Sequence, residues 1–160
     1  MRYPVFLLLV FAFLFPACKM EFRKPTERMN ALNQIQQTDV DFSNRSREIG
    51  MKKAFLEYME DDGILLRKNR LPIVGADAVD FISSIDDSSF VLTWDPGGAD
   101  ISESSDLGFT YGVYTLKTKD TTFNGTYVTI WRRQQSGKWK FVLDSGNEGI
   151  GEDKRTEENK

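Results

Sequence analysis

Asp144 closes a strand-like run after Val142 and Leu143, where a carboxylate can protrude into the mouth of a cavity. In an apolar pocket its pKa would rise, which suits general acid or base work. The competing reading is a strand-end carboxylate bonded to nearby backbone or paired with Arg132 or Lys140. Asp106 is a second candidate base, although a carboxylate just before a strand and a glycine more often caps a turn. Nothing else in the inventory offers a nucleophile system. The 160 residues include no histidine and one cysteine, Cys18, so Ser-His-Asp and Cys-His arrangements and His-bearing zinc sites are excluded. Catalysis would have to run on carboxylates, Tyr, Lys or Arg.

Tyr58, Trp94, Tyr111, Tyr114 and Trp131 are candidate ligand contacts, since their polar tips can orient an apolar or aromatic molecule. Aromatics on strands equally well make a core. The acidic groups Asp86-Asp87 and Glu60-Asp61-Asp62 lack calcium-loop spacing and read as solvated turns, so no metal or other cofactor is expected. Asn124-Gly125-Thr126 reads as a hairpin turn rather than a glycosylation site. With 24 acidic and 21 basic side chains there is no basic stripe, and no nucleic-acid partner is expected.

The N-terminus carries an address. Met1-Arg2 precede an apolar run from Val5 to Phe15, about 16 Å as a helix and roughly half a bilayer core. That length fits a secretory signal rather than a membrane span. The run ends in Phe15-Pro16-Ala17-Cys18, which resembles the lipobox of bacterial lipoproteins, with cleavage before Cys18 and acylation of its sulfur. The resemblance implies a signal peptide over 1–17 and a lipidated Cys18 with a flexible tether over 18–37. It also implies anchoring to a membrane of the cell envelope. Lys19 is not the aspartate of an inner-membrane retention signal, which favours the outer membrane.

The elements that must position the candidate residues follow from periodicity. A helix signal opens at Thr38-Asp39-Val40-Asp41, with a capping hydroxyl and early acids. Met51, Ala54, Phe55 and Tyr58 form a helical stripe, with Phe42, Ile49 and Leu56 on nearly the opposite side. Glu60-Asp61-Asp62-Gly63 reads as its stop. A short strand at Ile64-Leu65-Leu66, a loop from Arg67 to Gly75 and a short helix from Ala76 to Ile85 come next. A strand from Ser88 to Trp94 is expected to break at Asp95-Pro96-Gly97-Gly98. Three alternating runs, Gly108 to Lys117, Thr126 to Gln134 and Lys138 to Asp144, joined by short Gly-containing turns, read as an antiparallel meander. Both faces of the first two carry large side chains, so both should be covered. The class is α+β, one folded domain over 38–147, followed by a disordered charged tail over 148–160.

Several segments then resemble a known family. Ala54-Phe55-Leu56-Glu57-Tyr58, Pro72-Ile73-Val74-Gly75, Leu92-Thr93-Trp94-Asp95-Pro96, Asp106-Leu107-Gly108-Phe109-Thr110-Tyr111-Gly112, Tyr127-Val128-Thr129-Ile130-Trp131 and Trp139-Lys140-Phe141-Val142-Leu143-Asp144 are similar to a SnoaL-like, ketosteroid-isomerase-like family within the nuclear transport factor 2-like superfamily. The resemblance covers about Val40 to Asn147. It implies a cone-shaped, curved antiparallel sheet wrapped around a long N-terminal helix, a cystatin-like architecture. Where that family usually shows Ser-Gly-Asp-Leu-Gly, this chain has Ser104-Ser105-Asp106-Leu107-Gly108, so the local turn departs from the pattern. The superfamily hosts many activities. The first expectation is a small-molecule-binding domain without catalysis, displayed on a membrane and homodimeric through its open sheet face. The second is a His-free isomerase or lyase with Asp144 or Asp106 as base and a tyrosine as donor. The third is a protein-interaction module using the convex sheet surface.

Overall fold

The computed structural model describes residues 25–151. Its first helix, α1, spans Pro25–Ile49. Proline suits the opening helical position because the missing N–H has no intrahelical partner there. Helix therefore occupies 25–37, where the sequence suggested tether. The inward residues of this first half, Ala31 and Ile35, are too few and too small to announce a stripe. Tertiary contacts hold it instead. Ile35 packs against Gly108, where a Cβ would come within 2.8 Å of its Cδ1. Arg28 donates to Asp100 at 2.8 Å and to the Ile101 carbonyl at 3.0 Å.

Gly50, at φ 90°, ends α1 and lets the chain re-enter a second helix, α2, Met51–Tyr58. The single helix expected from Thr38 onward is thus two. Asp87 supplies the cap, accepting from the Lys52 amide at 2.8 Å and satisfying one of the free N–H groups of the new helix. The helix stops at Tyr58, earlier than the acidic run suggested, and Glu60-Asp61-Asp62-Gly63 lies inside strand β1, Met59–Leu66. Then come β2 (Ile73–Val74), α3 (Ala76–Ser83), β3 (Phe90–Ile101), β4 (Leu107–Thr118), β5 (Thr122–Arg133) and β6 (Trp139–Glu148).

The strands form one six-stranded sheet in the order β2-β1-β6-β5-β4-β3, mixed and not closed. The meander β4-β5-β6 is antiparallel, as the alternation predicts. The single parallel pairing joins β1 to β6, with Leu65 opposite Asp144. β3 does not end before Pro96. It continues to Ile101 through a register shift between Pro96 and Gly98. As an edge strand it tolerates a residue without an N–H, and the bulge absorbs the misfit. β6 runs to Glu148, one residue into the expected tail.

The helices pack on the concave face. Phe42 of α1 sits at the centre of an aromatic cluster, with ring centroids 4.5 Å from Trp94, 4.7 Å from Tyr58, 4.9 Å from Phe55 and 5.7 Å from Phe141. Burying a ring of this kind contributes roughly 1.5–3 kcal/mol, so this cluster is the main attachment of helix to sheet. The convex face differs from expectation. Leu107, Phe109, Tyr111 and Val113 point outward from β4 and remain 41–49% exposed, uncovered by any described element.

In the β3–β4 turn Ser105 has φ 56°, the left-handed region that disfavours a side chain, and it is fully buried. Its hydroxyl has no hydrogen-bond partner among the described residues. This is the position where the family pattern carries glycine. The turn keeps the glycine-type backbone with a serine in it.

Candidate functional site

A cavity of about 290 Å³ opens between α2, α3 and the concave face of the sheet. The alternation of each strand decides which side chains reach it. β3 contributes Leu92 and Trp94, β4 contributes Tyr114 and Leu116, and β5 contributes Tyr127 and Thr129. Met51 and Phe55 from α2 and Ile82 from α3 close the apolar side. Arg67, at the exit of β1, and Asp144 of β6 make the polar end.

That polar end is tightly built. Arg67 Nη2 donates to Asp144 Oδ1 at 2.6 Å, while Arg67 Nη1 donates at 3.0 Å to the backbone carbonyls of Leu66 and Asp144. Thr129 Oγ1 donates to Asp144 Oδ2 at 2.9 Å. The Arg67 guanidinium also stands 5.9 Å from the Phe55 ring centroid, within cation–π reach. The partner of Asp144 is therefore Arg67, neither Arg132 nor Lys140. Those two face β1 instead, Arg132 pairing with Glu60 at 2.7 Å and Lys140 donating to the Met59 carbonyl. The parallel register, which sets Leu65 beside Asp144, carries Arg67 to the site.

Behind the cavity wall lies a second buried carboxylate. Asp39 of α1 is fully buried and accepts from Trp94 Nε1 at 2.8 Å and from Tyr127 Oη at 2.7 Å. Burial raises its pKa above the ordinary carboxylate value, because no cation stands beside it. Donation from Tyr127, Trp94 and Thr110 pulls the other way without prevailing. Burial, then the Asp39 charge and its hydrogen bond, push the Tyr127 hydroxyl far above the usual phenol value. Tyr127 and Trp94 thus face the cavity with their rings and hold Asp39 with their polar tips.

The five aromatic candidates separate. Trp94 and Tyr114 line the cavity. Tyr58 stacks on Phe42, and burial raises the pKa of its hydroxyl. Trp131 is fully buried, its indole N–H donating to Thr110 at 2.9 Å. Tyr111 is on the convex face. These last three lie away from the cavity. Asp144 lines the cavity; Asp106 does not, and in the β3–β4 turn it accepts from the hydroxyls of Ser102 and Ser104. Asp87 caps α2, and hydrogen bonds from the Ser88 side chain and then from its amide, the latter at 3.1 Å, lower the Asp86 pKa. Among the described residues no three His, Cys, Asp or Glu side chains converge as a metal site would need. Cys18 lies outside the described residues. No described helix is long and apolar enough to cross a membrane.

Sequence reasoning missed Asp39, Tyr127 and Arg67. Asp39 had a signal, since Ile35, Asp39 and Phe42 are spaced as one helical face. Tyr127 shares the inward alternation of Thr129 and Trp131. Arg67 had none, because its place depends on β1 pairing with a strand about 80 residues later in the chain.

No family model and no curated protein matches this chain. Solved structures do. A scytalone dehydratase-like protein from Novosphingobium aromaticivorans superposes with a TM-score of 0.63 at 13% identity, over 79% of this chain and 89% of that one. An NTF2-like protein with a cystatin-like fold, also from Novosphingobium aromaticivorans, gives 0.61 at 12% identity, over 82% and 90%. A ketosteroid isomerase-like protein from Erwinia carotovora gives 0.56 at 15% identity, over 76% and 96%. The fold is nuclear transport factor 2-like. At these identities the likeness is one of architecture alone.

Proposed function

We propose that this protein is a lipid-anchored envelope domain that binds a small, largely apolar molecule without turning it over. The observation that carries the reading is the cavity of about 290 Å³, apolar along its walls and closed at one end by Arg67, Asp144 and Thr129. Its volume is near the lower bound for small-molecule sites, and its layout suits a molecule with one polar end. Both oxygens of Asp144 already accept, from Arg67 and Thr129, which supports orientation of a ligand over proton abstraction. The experiment is mass spectrometry of whatever the purified protein releases on denaturation, followed by titration against wild type and Trp94→Ala. An apolar compound lost in the variant is expected. Failure of any apolar compound to bind would end the binding reading.

A second reading is a His-free isomerase or lyase, favoured by one observation: Asp144 and the Tyr127 ring line the same cavity. Under it, Asp144→Asn abolishes turnover of the bound compound and leaves affinity nearly intact. Anchoring is tested separately, since Cys18→Ala should release the protein from the membrane fraction.

A further inference from the structure

The charges at the polar end of the cavity are already balanced. Arg67 and Asp144 meet at 2.6 Å, and nearer solvent Lys68 and Glu148, both exposed, also meet at 2.6 Å. Among the described residues that line the cavity these are the charged ones, so each cation has its acid. A carboxylate ligand would give up its hydration against apolar walls and find no unpaired cation. An ammonium would meet the Arg67 guanidinium, which already stands 5.9 Å from the Phe55 ring.

Hydrogen-bonding capacity is a separate matter, and there the same end is incomplete. The Arg67 guanidinium commits three N–H groups, to Asp144 Oδ1 and to the carbonyls of Leu66 and Asp144, and keeps the rest. Asp144 accepts once at each oxygen, from Arg67 and from Thr129, where an ionised carboxylate takes about four bonds. Spare donors and spare acceptors therefore sit side by side on two cavity-lining residues.

Resting on the binding reading above, we propose that the ligand is an uncharged molecule bearing a hydroxyl, which donates to Asp144 and accepts from Arg67. A hydroxyl uses both residues at once. A carboxylate cannot donate, an ammonium cannot accept, and a carboxamide brings a second N–H that the apolar walls leave unpaired. The rings of Phe55, Trp94, Tyr114 and Tyr127 on the cavity wall suit a flat ring as the apolar body. At ~30 Å³ for each group of water size, a cavity of about 290 Å³ holds about ten such groups, one ring with a short substituent.

The test titrates the full chain carrying Cys18→Ala, which keeps any acyl chain from competing, with matched single-ring probes. Binding is followed at the indole N–H resonance of Trp94, which lines the cavity. Benzyl alcohol should bind at least ~10-fold more tightly than toluene, benzamide, benzoate or benzylamine. Asp144→Asn leaves the guanidinium uncompensated and should turn the preference to benzoate. Arg67→Met leaves the carboxylate uncompensated and should turn it to benzylamine. Circular dichroism checks that each variant folds, and should one fail, the other decides. Wild type that takes any of the other four probes as tightly as benzyl alcohol overturns the hydroxyl assignment and leaves the binding reading standing. So does a preference unmoved by the folded variants. Failure of every probe to bind overturns both.

Discussion

Asp39 and Asp144 both lie buried on the concave side of the sheet, yet their surroundings differ in kind. Asp144 has a guanidinium at 2.6 Å and a threonine hydroxyl at 2.9 Å. Asp39 has only neutral donors, an indole and a phenol. The first arrangement compensates a charge with a charge. The second leaves desolvation unopposed by any cation, and the Asp39 pKa rises. The difference teaches that Asp144 belongs to the polar end of the cavity. Asp39 is a clasp, joining α1 to β3 through Trp94 and to β5 through Tyr127.

The comparison can be broken most directly at the clasp. Asp39→Ala orphans two buried donors and opens a void, so a loss of about 3–4 kcal/mol is expected in urea unfolding. A loss below 1 kcal/mol would mean that the aromatic cluster alone holds the helix. Arg67→Ala leaves Asp144 with one neutral donor in a partly wet site, and a loss of about 2–3 kcal/mol should accompany weakened ligand binding. If stability falls and affinity does not, the pair is structural and the polar end of the site lies elsewhere.

A serine supplies the opposite sign. Ser105 is as buried as Asp39 but its hydroxyl is unpartnered and its backbone is left-handed. Ser105→Gly relieves about 1–2 kcal/mol of backbone strain against 0.5–1 kcal/mol of added unfolded-chain entropy. A net gain of up to about 1.5 kcal/mol is expected in thermal or urea melts. A net loss would show that the buried hydroxyl has a role.

The smallest effect is in pH. The folded-state pKa of Asp39 is raised above its ordinary value of 3.8, so the folded state holds this proton more tightly than the unfolded chain. Its contribution is complete below 3.8 and is lost as pH climbs from there through the raised folded value. The stability of wild type relative to Asp39→Asn should fall over that window. A difference independent of pH would contradict the contrast drawn between the two carboxylates.

How much of this was legible varies by region. The β4-β5-β6 meander was, because period-two alternation and short turns are local properties of neighbouring residues. Trp94, Tyr114 and Asp144 were candidates by residue type, and only the structure sets these three on the cavity wall and Tyr111 on the convex face. Tyr58 and Trp131 were not separable from them, since an inward ring looks alike in sequence whether it meets a void or Phe42. Asp39 was read as an early acid of the first turn because the start of α1 was set at Thr38. Once the helix begins at Pro25, the same residue falls on the buried face.

The sequence by itself determined the α+β class, the meander and the chemistry barred by the lack of histidine. These rest on composition and on patterns a few residues long. Only the tertiary structure decided that Arg67 meets Asp144, that Asp39 is closed off by Trp94 and Tyr127, and that no described element covers the convex row of β4. Each depends on which distant segments pack together. Pairing and packing energies are shared across the whole sheet and leave no local period to read.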